Sequence, residues 1–64
     1  MGHDYLLQFF EFQHLPPHLR GIAGKFHDLA HEMVKDTPAN PERSAALRKL
    51  LEAKDCAVRS LLFK

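Results

Sequence analysis

The side chains in this sequence that could do chemistry fall into two groups. The first is His27-Asp28-Leu29-Ala30-His31. Histidines four apart share one flank of a helix and can ligate a single ion. The metalloprotease form of that spacing carries Glu after the first His, where this chain has Asp28. No spacing singles out Glu32, His14 or His18 as a third ligand. An ordinary helix flank is the reading the spacing favours over structural zinc. The second group is cationic. Arg43 and Lys54 project from the apolar face of the helix that bears them. One account has Lys54 setting register or snorkelling while Arg43 points outward. The other has both meeting an anion where copies of the chain come together, because buried charges demand partners. Arg suits phosphate there, since its planar fork bonds bidentately. Lys25, on the flank of the first helix, lies close in sequence to the aromatic segment.

Reaction chemistry has no footing. A Gly-rich phosphate loop, a nucleophile elbow and a separated carboxylate pair are all missing from the sequence. A chain of 64 residues with two helices offers little walled volume from which to exclude water. The expectation is a protein that is not an enzyme and has neither a metal nor a cofactor. Cys56 falls on the outer side of its helix, as an ordinary thiol.

Size and composition narrow the class further. One domain fits, with a core that rarely supplies more than ~3–5 kcal/mol in chains this short. Cys56 is the only cysteine, which excludes an intrachain disulfide and a Cys-based zinc site. Oligomerisation is the remaining remedy. A formal charge of +1 excludes the electrostatic footprint of a non-specific DNA binder. No apolar run approaches the ~18 residues of a membrane span. The N-terminus, with Asp4 and Glu11 among its apolar residues, lacks a signal peptide's basic start and cleavage site. The expected location is a reducing cytoplasm, without processing.

The elements that would position these groups are helical. Residues 1–15 form an aromatic segment with Tyr5, Phe9, Phe10 and Phe12. Glu11 between two rings suits an extended piece over 10–12, whereas Tyr5 to Phe9 suits a short helix. The rings cover the helices or a neighbouring subunit, or one or two of them form a stacking surface for a planar ligand. Pro16-Pro17 then starts a helix over 17–36. Leu19, Ile22, Phe26, Leu29 and Met33 make an a/d seam, which Ala23, Ala30 and Val34 widen on one side. Gly21 and Gly24 loosen its first turns or admit a close approach.

Thr37-Pro38 ends that helix, and Asn40-Pro41-Glu42 caps a second one over 41–62. The short connection implies an antiparallel return. On the second helix Leu47, Leu50, Leu51, Val58, Leu61 and Leu62 define one face. Arg48, Glu52, Asp55 and Arg59 fall opposite, with Arg48–Glu52 and Asp55–Arg59 spaced to pair. The fold class is therefore all-α: an antiparallel helical hairpin assembled into a homo-oligomer.

Two strings carry a resemblance. One is Asn40-Pro41-Glu42-Arg43-Ser44 with Ala46-Leu47-Arg48-Lys49-Leu50-Leu51-Glu52-Ala53-Lys54-Asp55 and Ala57-Val58-Arg59. The other is Phe10-Glu11-Phe12-Gln13-His14-Leu15-Pro16 followed by Phe26-His27-Asp28-Leu29-Ala30. From about Phe10 to Arg59 the chain resembles the hairpin domain of phage anti-CBASS and Thoeris anti-defence proteins. That resemblance implies a sponge, with a hexamer the expected assembly. It would hold the cyclic oligonucleotide messengers of bacterial immunity in the host cytoplasm without cleaving them. It further implies Phe10 or Phe12 as the ring that stacks on a base, with His14 in the ligand-binding set. Lys25 would meet phosphate, and Arg43 and Lys54 would serve a second site between subunits. Where relatives carry a basic residue and then Pro before Phe-His, this chain has Gly24-Lys25. The cation is thereby moved about 100° around the helix. Without the extra domain of the longer Thoeris-type members, an ADP-ribose-type ligand is less expected than a cyclic di- or trinucleotide. The residues themselves also fit a helical hairpin that binds itself or a host protein and has no nucleotide ligand.

Overall fold

A computed structural model describes residues 5–63. The first four residues of the aromatic segment lie outside the described residues. The order is a 3₁₀ helix, Tyr5–Phe10, then α1, Pro17–Asp36, and α2, Pro41–Ser60. The molecule measures 38 × 18 × 15 Å. A 20-residue helix is ~30 Å long and ~10 Å across, so α1 and α2 lie side by side and packed together, and the 3₁₀ helix touches both.

The helix ends follow local chemistry. Pro17 occupies the first turn of α1, and the Pro16 carbonyl accepts from the amides of Leu19 and Arg20. Ahead of Pro38, Thr37 is extended (φ −129°, ψ 152°), and both its amide and its hydroxyl donate to the Met33 carbonyl. At the start of α2 the Asn40 side chain accepts from the Arg43 amide at 2.8 Å, an N-cap. The helix stops at Ser60 rather than 62. Leu61 and Leu62 form a turn whose amides bond back to Val58 and Arg59.

The aromatic segment is helical through Phe10, not extended there. It then runs irregularly through Glu11 and Phe12 into a turn at Gln13–His14. This places Leu6, Leu7 and Phe10 in the core with Ala30 of α1 and Leu47 of α2. Phe26, Met33, Val34, Leu50 and Leu51 pack around them. The core therefore uses the alanine flank of α1. Ala23 and Ala30 are buried because their small side chains let neighbours approach closely. The outer half of the seam is left open: Ile22 and Phe26 are half-buried, and Leu29 is 46% exposed.

Candidate functional site

Phe10 sits at the centre of the core with none of its surface exposed. It offers no face to a ligand in this conformation, which corrects its place beside Phe12 as a stacking ring. Phe12 is half-buried and lies against α1. A Cβ on Gly24 would come within 3.3 Å of the Phe12 ring, closer than such contacts normally allow. Gly24 is thus the notch into which this ring fits. The Phe12 ring meets His27 edge-on with centroids 5.0 Å apart, and His27 lies 4.3 Å from His31. Spacing alone flagged the two histidines and the glycine separately. It did not show that Phe12 extends them into one aromatic row.

The His27 ring is also held from the side, its Nδ1 lying 3.1 Å from an Asp28 carboxylate oxygen. Among the described residues no group of three or more His, Cys, Asp and Glu gathers where an ion could bind. His14 is exposed in the turn after Phe12. Lys25 is exposed on α1 and lines an open apolar hollow of about 230 Å³ with Ile22, Phe26 and Leu29.

Arg43 reaches back across the connection. Its Nη1 donates to the carbonyls of Val34 at 3.2 Å and Thr37 at 3.0 Å. In an uninterrupted helix the amides of residues 38 and 41 would occupy those acceptors, but both residues are prolines and have no N–H. The guanidinium supplies the donors that Pro38 and Pro41 lack, at the negative end of the α1 dipole. Arg43 also lines a second hollow of about 280 Å³ with Met33, Pro38, Glu42 and Ala46.

Lys54 lies within the apolar face as expected, its side chain 14% exposed. Its ammonium pairs with Asp55 at 3.2 Å, so Asp55 belongs to the edge of that face rather than to the side opposite. Arg59 points its Nη2 at the Cys56 sulfur, 3.4 Å away. Arg43 and Lys54 are eleven positions apart, about 16 Å along α2. Within one chain they do not form a single anion site.

Comparison with known proteins finds no matching family model, no matching curated protein and no matching solved structure. Among the described residues no helix is long and apolar enough to cross a membrane.

Proposed function

We propose that this chain is a phage-encoded sponge, an antiparallel helical hairpin that self-assembles, with a hexamer expected, and sequesters cyclic oligonucleotide messengers without cleaving them. It works in the cytoplasm of an infected bacterium, where removing the messenger silences anti-phage signalling. The geometric observation that supports this most is the aromatic row Phe12–His27–His31. A ring fixed in a glycine notch is a preorganised platform for a nucleobase, and stacking tolerates any base. Lys25 follows Gly24 in the chain, is exposed, and supplies a cation for the phosphates. Self-assembly is supported by the apolar surface left open at Leu29, Leu61, Leu62 and Phe63.

A second reading, a helical interaction module without a nucleotide, is favoured by one observation. Arg43 and Lys54 both have partners inside the chain, in helix carbonyls and in Asp55. The decisive experiment titrates cyclic di- and trinucleotides into the protein by calorimetry and recovers the ligand by chromatography. Heat with intact cyclic ligand recovered is the expected result. No heat with any ligand discards the sponge in favour of the interaction module, and linear products would make the protein an enzyme. Lys54→Leu is the cleaner probe of the second cation site, because Arg43 also holds the fold.

A further inference from the structure

We infer that α1 pairs with α1 of a second copy, antiparallel, about a two-fold axis lying between Phe26 and Leu29. The inference rests on the self-assembling part of the reading above and is independent of the nucleotide.

The fold leaves this half of α1 partly open: Leu29 is exposed, while Phe26 and Met33 also pack against the core from their inner sides. Ile22, Phe26 and Leu29 line a hollow of about 230 Å³, and none of the three is fully buried. They continue into Met33 with gaps that alternate between four and three, the spacing of a helix-pairing seam. Set antiparallel, Phe26 meets Leu29 of the second copy and Ile22 meets Met33, each contact occurring twice. The hollow receives the apolar side chains of its own twin.

Charge selects this direction. Lys25 and Glu32 stand seven apart on the same edge of the seam, and both are exposed. Among the described residues neither takes part in an ion pair. In the antiparallel register Lys25 of each copy faces Glu32 of the other. A parallel pairing would set Lys25 opposite Ala30 instead and leave both charges unmatched. Such exposed pairs contribute little free energy. Their effect is to fix direction and register, while closure of the apolar seam provides the drive. The contact is isologous, the form a two-fold dimer requires. An ammonium has three donors, so Lys25 can hold Glu32 of the second copy and still meet a phosphate.

The test is sedimentation velocity at low ionic strength, where surface charges are least screened. Leu29→Asp should reduce the assembly while leaving helix content unchanged, since Leu29 is exposed within one chain. Lys25→Glu alone and Glu32→Lys alone should each weaken association roughly tenfold, because both contacts become like-charged. An equimolar mixture of those two variants should recover it, since every contact is again opposite in sign. The double variant should recover it as well. A wild-type chain that stays monomeric, assembly indifferent to Leu29→Asp, or a mixture no better than its components would each overturn the pairing. Nucleotide binding together with an indifferent Leu29→Asp would sink the pairing and leave the sponge standing. Charge complementation without nucleotide binding would do the reverse.

Discussion

Removing the Arg43 side chain is the most informative single perturbation, because its guanidinium replaces donors that two prolines cannot provide. In Arg43→Met the stem is kept and the fork is lost. The bond to Val34 is partly buried and the bond to Thr37 is exposed. The first is therefore the one that matters. A hydrogen bond involving a charged group contributes ~1.5–3 kcal/mol, and a cation at a helix C-terminus about 0.3–1 kcal/mol. The exposed bond adds little. The expected loss is about 2 kcal/mol, close to half of what a core in this size class supplies. At ~4–8 °C per kcal/mol for a domain of this size, the melting temperature falls by roughly 8–16 °C. Far-UV circular dichroism at fixed protein concentration measures this, because the proposed self-association would make the midpoint concentration-dependent. Arg43→Lys should recover only part of the loss, since one ammonium cannot reproduce the planar fork. If Arg43→Met melts at the wild-type temperature, the carbonyl clasp contributes nothing to stability.

Three further outcomes follow from neighbouring features. Gly21 has open space where a Cβ would go, whereas at Gly24 it would meet Phe12. Gly21→Ala should therefore gain about 1 kcal/mol from helix propensity and Gly24→Ala clearly less; equal gains in thermal unfolding would remove the notch. Asn40→Ala should cost about 1 kcal/mol through loss of the cap, read as a lower denaturant midpoint at unchanged slope. Leu47 is fully buried, so Leu47→Ala should cost ~2–5 kcal/mol and leave the chain largely unfolded at low concentration. A well-folded Leu47→Ala monomer would show that the core lies elsewhere.

The ends of the elements were legible because their causes are local. Pro17, Thr37 before Pro38, and Asn40 before Pro41 act within a few residues, and α1 spans 17–36 as its sequence signals imply. Which flank of α1 faces inward was not legible. The seam at Ile22, Phe26 and Leu29 and the flank at Ala23 and Ala30 are both apolar. Periodicity cannot tell the flank that meets a small-residue contact from the flank left open. Phe10 and Phe12 looked alike for the same reason: two rings separated by Glu11, one of them sealed in the core and the other seated on Gly24. The roles of Arg43 and Lys54 depended on still more distant facts. An arginine that bonds the previous helix's carbonyls becomes visible only once the chain has turned back. The partner of Lys54 is its own neighbour, which helical spacing rules do not suggest.

The proline-and-arginine connection also bears on how copies of this chain can associate. Short links between helices invite domain swapping, in which the link straightens and each copy lends its second helix to the other. Straightening into one continuous helix would place Pro38 and Pro41 inside it, where each ring collides with the carbonyl four residues earlier at a cost of ~3 kcal/mol or more. Those carbonyls belong to Val34 and Thr37, the same two that Arg43 occupies. Opening the link would thus exchange two hydrogen bonds for two collisions and give up the Asn40 cap as well. A swap that runs the two helices into one is therefore disfavoured by this connection.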